Sequence, residues 1–341
     1  MSTVALDAFG ADRGYAEVLA GARLAAADGI RIRLFGPPSE LAEAGEGIEL
    51  CAAEEWITNE DEPVAAVRGR PSASVVLAAR DVAEGSSDAL VSAGSTGATM
   101  TASLFALKRL QGVQRPALAA VLPLPEKQVL LLDCGANVEV RAQHLIQFAY
   151  LGSSFVEAVL GVARPRVALL SVGEEQSKGT AEVVEAGQAL ASASGINFAG
   201  NAEGRDLPTG EFDVVVTDGF TGNIALKLLE GTAKVVGGAV RDAARSNPLS
   251  LAGGLLMRPA LGKLRRQLAP DTTGGAILLG LRGVSVVAHG SSSAEGIANA
   301  VRLADRAVRE RTVERTGEAL ERAGATRQGL RRPDGRDTQT R

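Results

Sequence analysis

The sequence is short of several residue types, and each shortage excludes something. Aromatic side chains make up 3% of its 341 residues, so the core must be built from Ala, Val, Leu and Ile. That suits helices packed on a parallel sheet better than an aromatic-rich β-sandwich. The two cysteines, Cys51 and Cys134, cannot form a disulfide framework, and neither has a metal-like spacing, which matches a reducing cytoplasm. No apolar run is long enough to span a bilayer, and no basic stretch before an apolar one marks an export signal. The formal charge of −4 argues against general nucleic-acid binding, which needs a clustered positive surface. Neither G-x-G-x-x-G nor G-x-x-x-x-G-K-[ST] occurs, so nucleotide binding lacks its two usual sequence supports.

What is present is 45% hydrophobic residues arranged as short apolar runs alternating with helical patterns, the signature of βαβ units. Strands are predicted at Val4–Asp7, Ile30–Phe35, Ile48–Ala52, Leu118–Leu122, Gln128–Asp133, Arg166–Val172, Val214–Asp218 and Val284–His289. Helices are predicted at Tyr15–Asp28, Ser74–Ala83, Thr96–Leu110, Gln143–Leu160, Thr180–Ala193, Asn223–Ala244 and Ala294 to about Ala323. Pro123-Leu-Pro125 reads as a turn. One α/β domain is expected over 1–325, and the polar, Arg-rich end, 326–341, reads as a disordered tail.

Ligands of an open parallel sheet bind beyond the carboxyl ends of its strands. Seven such corners carry polar residues: Asp7 to Asp12, Ser92 to Gly97, Asp133 to Asn137, Gly173 to Gly179, Gly200 to Asp206, Asp218 to Asn223, and His289 to Ser293. Singly, each glycine is an ordinary turn residue. Gly94-Ser95-Thr96-Gly97 precedes a helix, where backbone N–H groups can meet an anion; a Ser/Thr helix cap explains the segment equally well. Of the two histidines, His289 ends a strand and could donate to a phosphate or oxyanion, or make a structural hydrogen bond. His144 begins a helix, where capping or surface exposure is expected. Cys134 reads as a small buried thiol rather than a nucleophile. Lys178 and Arg205 lie in glycine-bracketed corners and are the cations suited to phosphate oxygens, as a point charge and a fork respectively.

These segments, in this order, resemble the PlsX family of acyl-carrier-protein-dependent phosphate acyltransferases over about Val4 to Arg309. The most specific stretches are Leu131-Leu-Asp133-Cys-Gly135-Ala-Asn137, Gly173-Glu174-Glu175 with Lys178-Gly179, Gly200-Asn201-Ala-Glu203-Gly204-Arg205-Asp206, Asp218-Gly219-Phe220-Thr-Gly222-Asn223 and Ala288-His289-Gly290-Ser291-Ser292. The family's opening Asp-Ala-Met-Gly-Gly-Asp stands here as Asp7-Ala8-Phe9-Gly10-Ala11-Asp12, and a usual Asn is Ser95. The resemblance implies a Rossmann-like αβα sandwich similar to isocitrate and isopropylmalate dehydrogenases and phosphate acetyltransferase. It also implies a homodimer, no metal or other cofactor, and an acyl phosphate product for a downstream membrane glycerol-3-phosphate acyltransferase. A protruding helical hairpin, about 245–270, is implied to touch the anionic inner face of the cell membrane, so the location expected is cytoplasmic and peripheral. The matching stretch, Leu249 to Leu268, includes Leu251, Leu255, Leu256 and Leu261 with Arg258, Lys263, Arg265 and Arg266; a dimer-packing helix is the other reading.

Inorganic phosphate is already an oxyanion nucleophile, so attack on a thioester needs positioning more than a strong base. Phosphate holding is assigned to Gly94, Ser95, Thr96, Gly97, Lys178, Arg205 and His289 in one pocket, with Asn137 and Asn223 as donors to phosphate or carbonyl oxygen. Asp7, Gly10, Asp12, Asp133, Gly173, Glu174, Asp218 and Gly219 complete the substrate-binding set. Its aspartates would repel a dianion if bare, and are expected to orient cations and backbone. Two other readings remain: a nicotinamide-dependent hydroxy-acid dehydrogenase on the related fold, and a non-catalytic membrane scaffold for acyl-carrier protein.

Overall fold

The computed structural model describes residues 2–41, 44–124, 127–267 and 270–330. Among the described residues eleven strands form one sheet: β1 (Thr3–Asp7), β2 (Arg31–Gly36), β3 (Ile48–Ala52), β4 (Ala89–Ser92), β5 (Ala117–Pro123), β6 (Gln128–Leu132), β7 (Arg166–Leu170), β8 (Asn197–Ala202), β9 (Val214–Val216), β10 (Ala276–Leu279) and β11 (Val284–Val287). Their order is β3-β2-β1-β4-β11-β10-β5-β6-β9-β7-β8.

The sheet is mixed rather than parallel throughout. Strands β3, β2, β1, β4 and β11 are mutually parallel, and so are β6, β9, β7 and β8. Between the two sets, β10 is antiparallel to both β11 and β5, and β5 is antiparallel to β6. The first set therefore runs opposite to the second, and their carboxyl ends leave opposite edges of the sheet. The turn expected at Pro123-Leu-Pro125 joins β5 to β6, with Pro123 still paired to Gln128; Pro125 lies outside the described residues.

Strand alternation sends neighbouring side chains to opposite faces. On one face a continuous core joins Val4, Leu6, Leu34, Val91, Ala119, Leu132, Val167 and Val214 to helices Tyr15–Ala27, Ala142–Phe155 and Ala294–Arg309. The other face carries three separate apolar clusters. Helices Pro63–Gly69, Ser74–Ala83 and Thr96–Leu107 cover Ala5, Phe35 and Leu90, and the long helix Gly219–Ala244 covers Ala120, Leu131 and Val215. Leu107, Leu118, Leu278 and Val287 lie in a smaller cluster that takes in Met100 and Ala136.

Three strands escape the sequence pattern: β4, β8 and β10. Each is short or polar, and β8, an edge strand, reads Asn-Phe-Ala-Gly-Asn-Ala, with no apolar run to mark it. The helix expected over Ala294 to about Ala323 is two, Ala294–Arg309 and Thr312–Arg322, broken where Arg311 takes φ 52°. Residues 326–330, expected in the tail, are tied down: Arg327 N donates to Gly112 O at 2.7 Å, and Leu330 O accepts from Gln143 Nε2 at 2.8 Å. The remainder of that expected tail, 331–341, lies outside the described residues.

Helix Gly219–Ala244 starts four residues earlier than expected, because Asp218 caps it by accepting from Thr221 N. Only Gly219 and Gly222 on it are buried. It pairs with helix Pro248–Gln267 to form the two arms of the hairpin, touching where Gly254 meets Ala244. Leu251, Leu255 and Leu256 are exposed and Leu261 is half-buried. Leu268, at the end of the expected stretch, lies outside the described residues.

Candidate active site

The end of β1 is built around one buried carboxylate. Asp7 Oδ1 accepts from Ser74 Oγ at 2.6 Å and Phe9 N at 3.1 Å, and Oδ2 accepts from Ser92 Oγ at 2.7 Å. Burial pushes its pKa up to about 6, against the pull of these donors. Ser92 passes the order on, since its Oγ also accepts from Gly94 N at 3.1 Å. Gly10 and Gly94 then meet backbone to backbone: a Cβ on Gly10 would lie 2.5 Å from Gly94 Cα, and Gly10 has φ +84°, which favours glycine.

Helix Thr96–Leu107 rises from that junction with Ser95 as N-cap, its Oγ accepting from Ala98 N at 3.4 Å. The cap expected of this segment is thus formed. Among the described residues, the N–H groups of Ser95, Thr96 and Gly97 have no hydrogen-bond acceptor. Cap and anion cradle are compatible, because the first amides of a helix have no partner within it.

The end of β11 joins the same corner. Asp12 N donates to Gly290 O at 2.8 Å, and the Asp12 carboxylate faces Gly290. His289 is exposed, and its Nδ1 accepts from Ser291 N at 3.2 Å, with Ser291 Oγ 2.8 Å away. An Nδ1 that accepts a backbone N–H leaves the proton of the neutral ring on Nε2, free to donate. Thus Asp7, Gly10, Asp12, Gly94 to Gly97 and His289 stand together.

A second corner lies beyond β6 and β9. Asp133, fully buried, accepts from Leu118 N, Gly135 N, Ala136 N, Asn137 N and Asn137 Nδ2. Burial raises its pKa despite these bonds. Both hydrogens of Asn137 Nδ2 are committed, one to Asp133 Oδ2 at 2.8 Å and one to Pro116 O at 2.7 Å. Asn137 therefore has no side-chain hydrogen left to donate, and the Asp133 carboxylate is engaged in holding the loop. Gly219 N donates to Asn137 O at 2.7 Å, and a Cβ on Gly222 would collide with Asp133 O. Asp218 is occupied as the helix cap, whereas the side chain of half-buried Asn223 has no hydrogen-bond partner among the described residues. Cys134 is buried, its Sγ donates to Leu131 O at 3.2 Å, and burial raises its pKa, so it is no nucleophile. His144 is buried, with Nδ1 accepting from Arg141 N at 3.1 Å and burial lowering its pKa to about 4. That is the capping role rather than exposure.

A third corner, beyond β7 and β8, holds both expected cations. Lys178 is exposed and makes no ion pair among the described residues; its stem rests against buried Gly173. Arg205 is ringed by Glu174 at 3.0 Å, Glu203 at 2.9 Å and Asp206 at 3.9 Å. Its charge is locally cancelled, so it does not stand ready for phosphate as expected. Asn201 Nδ2 donates to Gly173 O and Glu175 O, closing the loop that carries Glu174 and Lys178.

The expected single pocket is not what the chain's topology builds. Strand polarity puts the second and third corners at the edge opposite the first, and no hydrogen bond or ion pair among the described residues joins Lys178 or Arg205 to the Gly94 turn. Sequence reasoning placed Ser92 and Gly290 in polar corners without giving them a part in building the site, and placed Ser74 in none. Ser92 had a signal: it is the one polar residue ending the apolar run Ala89-Leu-Val. A surface hollow of about 460 Å³ lies at the amino ends of these strands, lined by Thr3, Arg31, Arg33, Glu49 and Ser86, and holds none of the candidate residues. No group of three His, Cys, Asp or Glu suited to a metal ion occurs among the described residues.

The architecture is shared with acyl-transferring enzymes. A branched-chain phosphotransacylase from Enterococcus faecalis superposes with TM-score 0.58 at 18% identity, covering 90% of this chain and 99% of that one. A 4-hydroxythreonine-4-phosphate dehydrogenase from Klebsiella pneumoniae gives 0.50 at 16%, covering 90% and 100%. These likenesses define the fold class, a mixed α/β sandwich. In sequence, a phosphate acyltransferase from Elusimicrobium minutum is 45% identical over 314 residues, 89% of this chain and 92% of that protein. The profile described as "Fatty acid synthesis protein" matches residues 2–315. The chain belongs to this family, the PlsX family of phosphate acyltransferases, and is an acyltransferase enzyme.

Proposed function

We propose that the protein transfers a fatty acyl group from acyl-carrier protein to inorganic phosphate, supplying acyl phosphate to phospholipid synthesis. The observation that carries this reading is the first corner, where the amides of Ser95, Thr96 and Gly97, without an acceptor among the described residues, follow β4, and His289 follows β11, the strand paired with it, in a chain of the phosphate acyltransferase family. The amides hold the phosphate dianion. One of its oxygens attacks the thioester carbonyl carbon, the tetrahedral oxyanion meets a donor such as His289 Nε2–H, and the C–S bond breaks. The carrier thiolate leaves and takes up a proton, while the new C–O bond gives the acyl phosphate.

Asp7, Gly10 and Asp12 serve by holding this corner in shape. Lys178 and Asn223, expected to contact phosphate or carbonyl oxygen, lie with Gly173, Glu174, Asp218 and Gly219 at the other edge of the sheet, where they fit the carrier or acyl side of the reaction. Two exposed apolar stretches support the remaining expectations. Phe220, Ile224 and Leu228 recur every four residues along one helix, suiting a homodimer face. Leu249, Leu255, Leu256 and Met257 on the second arm of the hairpin suit peripheral contact with an anionic membrane surface, near the downstream glycerol-3-phosphate acyltransferase. No helix among the described residues is long and apolar enough to cross a membrane.

The test is incubation of pure protein with acyl-carrier thioester and labelled phosphate. Acyl phosphate should form only when both are present; its absence would remove the reading.

A further inference from the structure

The sequence contains a single tryptophan, Trp56, and the fold leaves it 47% exposed. An exposed indole on a loop is unremarkable when the loop is loose. This loop is not. Arg70 Nη1 donates to Trp56 O at 3.0 Å, and the same guanidinium grips Asp61 through two bonds of 2.9 and 2.7 Å. Asp61 in turn accepts from Thr58 N and Thr58 Oγ1, and Ser74 N donates to Glu55 O at 2.9 Å. The next side chain, Ile57, is buried in the core. Trp56 is therefore held outward by its surroundings.

Its ring lies on Phe9, centroids 4.9 Å apart and planes 10° from parallel, and Phe9 meets Tyr15 edge to face at 5.1 Å. Phe9 is itself buried, and its carbonyl oxygen lies 2.9 Å from where a Cβ on Gly94 would stand. The chain that leaves Trp56 returns at Pro63, whose Cγ is 2.7 Å from the corresponding position on Gly97. The residues that carry the stack thus adjoin both ends of the Gly94–Gly97 turn, Phe9 through its carbonyl oxygen and the Trp56 loop through Pro63. Phe105, another exposed ring of this half, is instead capped by the Arg68 guanidinium at 5.3 Å.

We propose that the exposed side of the Trp56 indole, backed by Phe9, is the wall on which the first methylenes of the acyl group lie, and that Trp56 sets preference for acyl groups by chain length. The proposal rests on the reading of the Gly94–Gly97 amides as the phosphate site. In an acyl phosphate the carbonyl carbon is one oxygen away from phosphorus, so the chain must leave that turn over whatever surface adjoins it. A flat, apolar, rigid surface holds methylenes without losing its own freedom on binding. Acetyl, with no methylenes, gains nothing from it.

Because Trp56 is the sole indole, its emission reads this contact directly. Titration with decanoyl phosphate should shift the emission to the blue, or quench it, in a saturable way, while acetyl phosphate and inorganic phosphate should leave it unchanged. Trp56→Ala should lower kcat/KM for a decanoyl donor about 10-fold more than for an acetyl donor, and Trp56→Phe, which keeps a ring on Phe9, should restore most of that difference. If the wild-type protein forms acyl phosphate, yet its emission ignores decanoyl phosphate and Trp56→Ala keeps the wild-type chain-length profile, the proposal is overturned while the phosphate-transfer reading stands. If no acyl phosphate forms from any donor, the transfer reading falls and takes this proposal with it.

Discussion

The corner around β1, β4 and β11 and the corner beyond β7 and β8 are both glycine-rich and polar, yet they are built on opposite principles. The first is organised from within by a buried carboxylate whose three donors are all neutral, and it presents bare amides. The second is organised at the surface by charge: Arg205 faces three carboxylates, and Lys178 stands exposed. Surface ion pairs are screened by solvent and contribute little to stability, whereas backbone packed on backbone, as where Gly10 meets Gly94, tolerates almost no change. On the proposed reading, precise anion placement falls to the first corner and adaptable contact to the second.

Substitutions can break that contrast. The largest effect is expected from Gly10→Ala, whose new methyl would drive into Gly94 Cα from a backbone with positive φ. Displacing the amides by about an ångström should lower turnover about 100-fold, and a variant that folds with wild-type turnover would separate the Gly94 turn from catalysis.

Asp7→Asn should slow turnover about 10-fold while changing stability in the opposite sense. The pKa of Asp7 rises from 3.8 to about 6 in the folded chain. Between those pH values the folded state binds a proton that the unfolded state does not, so ionising Asp7 costs stability as pH rises through that window, and the cost persists above it. The cost is about 3 kcal/mol. The difference in melting temperature between Asp7→Asn and wild type should therefore be near zero at pH 4 and favour the variant at pH 8. A difference that runs the other way with pH would show that Asp7 is not held as a strained carboxylate.

Lys178→Ala, expected from the sequence to cost roughly 10- to 1000-fold as a lost charged contact, should fall at the lower end, about 10-fold, given an exposed side chain on the opposite edge. A 1000-fold loss in a thioester-release assay would place Lys178 in the phosphate site and erase the distinction between the corners. Arg205→Ala should have the smallest effect, under about 3-fold on turnover, because its charge is already cancelled. Capture of the acidic carrier protein should weaken as salt rises from low to physiological levels; salt-independent binding would exclude a charged docking surface.

Much of the fold was legible because periodicity survives wherever one face of an element is buried. Helix Ser74–Ala83 and strand β3 fall on their expected boundaries, since apolar residues mark them at both ends. Strand β8 was hidden because an edge strand with half-buried side chains has no apolar alternation, and β10 because it follows two glycines of positive φ. Near the strand ends, residues such as Asp7, Gly94 and Asp133 could be picked out from local pattern, whereas Gly200 lies within β8 rather than after it. Their partners were not readable: nothing in the sequence shows that both Nδ2 hydrogens of Asn137 are spent on Pro116 and Asp133, or that Ser74 reaches Asp7 across 67 positions.

The sequence by itself determined the α/β class, the family and the list of residue types that gather at strand ends, because these depend on local pattern and on motifs of adjacent residues. Only the tertiary structure decided which corners meet. Three antiparallel pairings in the middle of the sheet, β11 with β10, β10 with β5 and β5 with β6, reverse strand direction between the two halves; the outer two join neighbouring segments, but the pairing of β10 with β5, which joins the halves, is between distant segments and leaves no trace in the local order of residues.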